Sequence, residues 1–198
     1  MAKKEQWEMN PWDDAAVMER VIGKNFLDIA ETKEQSDLLF SGARGACCLE
    51  IGAGYGRLMP EARKYNQWCT GVESSVSLTA LSTRFLRNDL NSRVVLTDGL
   101  TFPFQGNIFD FVYSLTCFQH MEEIETIRQN LREMYRVLRF GSKFCVQTVY
   151  GDRDEPGRYD GYVFKSAEEF SDELVNVGFR SVTGFLHGEW IWARGMKP

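Results

Sequence analysis

"CLEIGAGYGRLMPEARKY", residues 48–65, decides how the rest of the chain is read. An apolar run ends at Ile51, glycines follow at alternate positions (Gly52, Gly54 and Gly56), and Glu50 stands two residues before the first of them. An apolar run stopped by glycine is the pattern of a buried strand. The stretch behind it predicts a helix from near Gly56 to about Tyr65, with Pro60 in the first turn, where a missing N–H costs little. Strand, glycine loop and helix start make a cradle. Glycines let the backbone turn tightly and approach a ligand, and a helix start offers unpaired N–H groups and positive potential.

Spacing sorts the ligands. A phosphate-gripping loop needs Gly-x4-Gly-Lys-Ser/Thr, and no Gly-Lys-Ser/Thr occurs in the chain. A dinucleotide loop has Gly-x-Gly-x-x-Gly, but the sixth position counted from Gly52 is Arg57. The pattern present is Glu-x-Gly-x-Gly-x-Gly.

Outward from the loop, strands and helices alternate. "WCTGVES" (68–74), "RVVLTDG" (93–99), "IFDFVYSL" (108–115) and the stretch entered after Gly141 read as further strands. Residues 75–88 carry Leu78, Leu81, Phe85 and Leu86 at helical spacing. Residues 122–138 give the clearest helix, with Ile124, Ile127, Leu131, Tyr135 and Leu138 on one stripe. Its arginines, Arg128, Arg132 and Arg136, mix with Glu125 and Glu133 and read as a solvated face of ion pairs. Ser166 and Glu169 have capping-box spacing, Gly178 stops that helix, and residues 179–195 read as a hairpin reversing near Gly188. Five strands each followed by a helix imply an α/β fold. It is a three-layer, mostly parallel seven-stranded sheet whose last strand is antiparallel, with ligands outside the carboxyl ends of the strands.

Composition narrows the function. The chain has 198 residues, 43% of them hydrophobic, and a formal net charge of −5. That suits one domain with a real core and argues against a broad phosphate-binding surface, hence against a nucleic-acid partner. No apolar run is long enough for a bilayer, and the lysines of "MAKKEQWEMN" precede no apolar segment, so neither a membrane association nor a secretory signal is expected. Five cysteines, an odd number without Cys-x-x-Cys, fit small buried hydrophobes in a reducing, cytoplasmic setting. His120 and His187 lie far apart, so no metal site is expected.

Strand ends carry the candidate chemistry. Glu73 ends the second strand, where an acid can accept from both hydroxyls of a ribose. Asp98-Gly99 ends the third, where a carboxylate can take an adenine amino group. With the glycine loop they describe a pocket for a nucleoside with a compact polar tail.

In these motifs the chain resembles the class I S-adenosylmethionine-dependent methyltransferases of the small-molecule type. "LEIGAGYGRL", "GVESS", "LTDGLTFPF", "FDFVYSLTCFQHM", "NLREMYRVLRFGSKFCVQT" and "SAEEFSDELVNVGF" occur in that family's order, over residues 45–195. The resemblance implies a Rossmann-like fold, S-adenosylmethionine as cofactor and a small-molecule acceptor. It assigns Glu50 to the methionine amino end, Gly52, Ala53 and Gly54 to the loop against the cofactor, and Glu73 to the ribose. Ser74, Asp98, Gly99 and Leu100 fall around the adenine, and the backbone of Ser114 near the methionine amine. Arg57 is a candidate for the methionine carboxylate, a surface role being the alternative.

His120, just past the fourth strand, is the candidate base, with packing as its other reading. Residues 1–44, with Trp7, Trp12, Val17, Val21, Phe26 and Leu27, are expected to form a helical cap over a domain of residues 45–198. Tyr150, Tyr159, Tyr162 and Phe164 either line an acceptor pocket or tack their loop to the body. Two rivals stand beside the enzyme: a module that binds the cofactor without transfer, and a nicotinamide-dependent oxidoreductase.

Overall fold

The computed structural model describes residues 29–151 and 161–198. The expected cap residues Trp7 to Leu27, and Tyr159, lie outside them.

The apolar run before the glycines forms β1 (Gly45–Ile51), the middle strand of the parallel set. β1 pairs in parallel with β2 (Asn66–Glu73) on one side and β4 (Phe109–Ser114) on the other. β3 (Ser92–Leu96) adds to β2, and β5 (Leu138–Val149) adds to β4, both in parallel. The closing hairpin, β6 (Arg180–His187) and β7 (Trp190–Met196), reverses at Gly188, whose φ of 62° suits glycine. β7 pairs antiparallel with β5 and β6, giving the seven-stranded order β3-β2-β1-β4-β5-β7-β6. The expected single antiparallel strand at the end is what the structure has.

Alternation along the strands feeds two cores. Leu49, Ile51, Val112, Phe144 and Val146 face α4 (Ile124–Val137) and α5 (Ala167–Val177), whose Ile127, Leu131, Met134, Phe170 and Leu174 are fully buried. Cys48, Cys69, Phe111, Tyr113, Cys145 and Trp192 point the other way. There they meet Leu39 and Phe40 of α1 (Ile29–Phe40) and Met59 and Ala62 of α2 (Met59–Ala62). Each large side chain removed from water on either face contributes about 1.5–3 kcal/mol. α3 (Val76–Phe85) starts at Ser75, whose hydroxyl accepts from Leu78 N–H, and α5 starts at Ser166, whose hydroxyl accepts from Glu169 N–H.

Three expectations change. The helix after the glycine loop has only four residues, Met59–Ala62, because Gly54 and Gly56 take φ of 57° and 87° and keep that stretch in turns. No helix joins β3 to β4; residues 97–108 cross as a loop, so the pattern of one helix per strand fails there. β5 begins at Leu138, straight from α4, rather than after Gly141. The carbonyls at that abrupt helix end are met from elsewhere. Asn107 and Ile108 N–H donate to Arg136 and Val137 O, and Lys197 Nζ donates to Tyr135 O and Leu138 O at 2.8 and 3.0 Å.

Candidate active site

At the carboxyl ends of β1, β2, β3 and β4 the chain encloses a cavity of about 560 Å³, within the size range of small-molecule sites. Glu50, Gly52, Ala53, Gly54, Arg57, Glu73, Ser74, Asp98, Gly99, Leu100 and His120 all line it. Ser114 does not. It is fully buried, and its hydroxyl donates to Ile51 O at 2.9 Å, tying β4 to β1 beneath the cavity floor. The wall above that strand is Leu115, Thr116 and Cys117 instead.

The glycine loop hangs from β2: the N–H groups of Gly52 and Ala53 both donate to Val72 O at 3.0 Å. A Cβ on Gly52 would collide with Cys117 Sγ, and one on Gly56 would come within 2.9 Å of Leu86, so these two glycines serve close packing. Gly54 differs. A Cβ there would meet nothing within 4 Å, so its backbone faces open space in the cavity.

Glu73, at the end of β2, reaches across the loop. Its Oε2 accepts from Gly54 N–H at 2.8 Å, and its Oε1 accepts from Ser74 and Ser75 N–H at 2.8 and 2.9 Å. The carboxylate is thus held in one orientation by three backbone N–H groups. Glu50, on β1, is only 3% exposed and accepts from Tyr113 Oη at 3.0 Å. Burial pushes its carboxyl up to about 8, against the Tyr113 bond and the Arg57 charge, with nearby Glu73 adding to the rise. Burial also raises the Cys117 thiol to about 12, with Glu73 contributing. The site therefore presents two acids of different character, one buried and readily protonated, the other fixed in a fan of N–H groups.

The third wall is the loop after β3. Asp98 Oδ1 accepts from Leu100 and Thr101 N–H at 2.8 and 2.7 Å; these bonds hold its carboxyl below the usual range. Gly99 turns with φ of 80° and passes beside Ser74, to which a Cβ would come within 3.4 Å. From α4, Asn130 Nδ2 donates to Gly99 O at 2.8 Å.

His120 ends a short 3₁₀ turn (Phe118–His120) and is exposed at the cavity edge. Its backbone is gripped on both sides. His120 N–H donates to Cys117 O at 3.0 Å, and Tyr162 N–H donates to Met121 O at 2.8 Å. Gly161 passes so close that a Cβ would strike Gln119 O. Of the loop aromatics, Tyr162 and Phe164 meet edge to face at 5.0 Å, and Phe164 meets Phe170 of α5, so these two tack the loop to the body.

Sequence reading missed Asn130, Tyr55, Phe102 and Cys117 as lining residues. Asn130 left one signal, an amide on the buried stripe of α4 between Ile127 and Leu131.

A family profile described as a methyltransferase domain matches residues 49–146, the span holding every wall described above. A phosphoethanolamine N-methyltransferase of Caenorhabditis elegans is 28% identical over 149 residues, 70% of this chain and 33% of the relative. A demethylmenaquinone methyltransferase of Corynebacterium efficiens is 31% identical over 115 residues, 58% of this chain and 45% of the relative. The chain thus spans less than half the length of these curated relatives. The structure of a Haemonchus contortus phosphoethanolamine N-methyltransferase, solved with S-adenosyl-L-methionine, has the same fold. Its TM-score is 0.76 at 15% identity, covering all of this chain and 60% of that one. Sheet order, site and profile agree: the chain belongs to the class I S-adenosylmethionine-dependent methyltransferases.

Proposed function

We propose that this chain binds S-adenosylmethionine in the cavity described above and transfers its methyl group to a small-molecule acceptor. The observation that carries the reading is the unfilled backbone of Gly54 beside a Glu73 carboxylate already fixed by three N–H groups. Such a cradle suits a ribose lying on the loop, with the Asp98–Leu100 wall at the adenine and Glu50 and Arg57 toward the amino-acid tail. S-adenosylmethionine supplies a sulfonium-bound methyl group that is electrophilic without further activation. What the chain adds is alignment and a dry wall, here Leu115, Met121 and Phe102. His120, on its tethered turn, is placed to take a proton from an acceptor that must lose one.

Two observations favour a small acceptor. The named relatives act, by their names, on phosphoethanolamine and demethylmenaquinone, and the net charge of −5 opposes nucleic acid. Among the described residues no helix is long and apolar enough to cross a membrane.

Calorimetry with S-adenosylhomocysteine, followed by tritium-methyl transfer to fractionated small molecules, tests the reading. Binding with transfer is the expected result. Binding without transfer to any fraction would point to a cofactor-holding module. Stabilisation by NAD and not by S-adenosylhomocysteine would overturn the reading; a ligand at 100 times its Kd adds about 2.7 kcal/mol.

A further inference from the structure

The loop between β3 and β4 carries the proposed adenine wall, yet it contains neither helix nor strand. Loops of that kind are ordinarily the first part of a fold to open. Here its backbone groups are met one after another by α4. Asn130, Glu133 and Arg136 recur every third residue, so they share one face of the helix. Asn130 Nδ2 donates to Gly99 O at 2.8 Å. Glu133 Oε2 accepts from Phe102 N–H at 2.7 Å. Arg136 Nη2 and Nη1 donate to Phe102 O at 3.0 Å and to Phe104 O at 2.7 Å. The two charged residues also brace each other, Arg136 Nε and Nη2 donating to the two Glu133 oxygens at 2.7 Å. Glu133 is only 7% exposed, so its charge depends on that partner.

These residues were expected on a solvated face. Arg132, paired with Glu125, is such a surface pair, whereas Arg136 and Glu133 turn inward and work on the loop. Neither lines the cavity. They hold Phe102, which does, and through the bonds of Asp98 to Leu100 and Thr101 they fix where the Asp98 carboxylate stands.

We infer that Glu133 and Arg136 are positioning residues for base recognition: by clamping residues 102–104 they hold the Asp98 wall in the geometry that prefers an amino purine to an oxo purine. The inference rests on the adenine end of S-adenosylmethionine lying at that wall. Without Arg136, two carbonyls lose their donor and Glu133 loses its counter-charge, so the loop loosens while the sheet stays whole.

The experiment compares S-adenosylhomocysteine with S-inosylhomocysteine, which carries an oxo group where the adenine has its amino group. Calorimetry on wild type, Arg136→Met, the milder Glu133→Gln and the surface control Arg132→Met reads both affinities. Arg136→Met is expected to weaken S-adenosylhomocysteine about tenfold, shrink its advantage over the inosyl compound to within about threefold and speed exchange of the Leu100, Thr101 and Phe102 amides. Amides of β1 and β4 should keep their protection. Glu133→Gln, which keeps an oxygen for Phe102 N–H, should lose part of the preference and gives the same reading if Arg136→Met does not fold. Arg132→Met should change nothing. A full adenine preference in both variants, with wild type binding well, overturns this inference alone. Wild type binding neither nucleoside would overturn the cofactor assignment, and this inference with it.

Discussion

Glu50 should make the protein less stable as pH rises, and replacing it by glutamine should make it more stable. The carboxyl is 3% exposed, and burial lifts it from its ordinary 4.5 to about 8. A carboxyl raised in the folded state binds a proton there that the unfolded chain gives up. Its contribution to stability is therefore complete below about pH 4.5 and is lost as pH climbs through about 8. At about 1.4 kcal/mol per pH interval, the loss is about 3 kcal/mol at pH 7, with a ceiling of about 5 kcal/mol above pH 8. Glu50→Gln keeps a carbonyl for the Tyr113 hydroxyl and has no proton to gain. Urea melts at pH 4.5, 7 and 9 should find the variant near parity with wild type at the lowest pH. At pH 7 it should be more stable by about 3 kcal/mol, or about 6–12 °C in Tm for a domain of this size. The same substitution should weaken S-adenosylhomocysteine at least tenfold, roughly 1.4 kcal/mol, since the side chain lines the cavity. A variant less stable than wild type by the same margin at all three pH values would mean that Glu50 is ionised in the fold and held by its neighbours, and the reasoning would fail.

Three further substitutions separate the roles in the pocket. Gly54→Val has room for its side chain but sits at φ of 57°, so it should cost about 1–3 kcal/mol in melts and abolish S-adenosylhomocysteine binding; unchanged affinity by calorimetry would show that nothing lies on that backbone. Asp98→Asn retains an oxygen for the Leu100 and Thr101 amides, so Tm should hold while affinity falls about tenfold, roughly 1.4 kcal/mol of binding. A collapsed transition would instead mean that the charge is needed by the turn. His120→Ala should lower the transfer rate about a hundredfold or more with S-adenosylhomocysteine affinity intact; an unaltered rate over the pH range would return His120 to a packing role.

The parts of the fold legible in the sequence are those written by short-range periodicity. β1 and the glycines behind it, the stripe of α4, the Ser166 start of α5 and the reversal at Gly188 each follow from residues within a few positions of one another. What escaped depends on partners far along the chain. Glu133 and Arg136 look like surface residues until Phe102 and Phe104 arrive beside them, more than thirty positions away. That Leu115, Thr116 and Cys117 line the cavity, while the Ser114 hydroxyl is spent on Ile51 O, follows from the pairing of β4 with β1, 63 positions earlier. The brevity of α2 was hidden for another reason: glycines that form a cradle also delay the helix, and spacing does not say how far. Glu50, Glu73 and Asp98 were legible because a strand end fixes position along the sheet, and the order of strands then brings three such ends to one side.

The Lys197 ammonium bears on the order in which the domain matures. It closes the carboxyl end of α4 from 59 and 62 positions away and also bonds Asn107, at the foot of β4. All the cavity walls are translated by residue 130, yet the helix that steadies one of them lacks the Lys197 donor for its Tyr135 and Leu138 carbonyls until β7 docks beside β5. Contacts so distant in sequence form late, because the chain between must first be ordered. A nascent domain should thus acquire its glycine cradle early and a competent ligand pocket only after the final hairpin has closed.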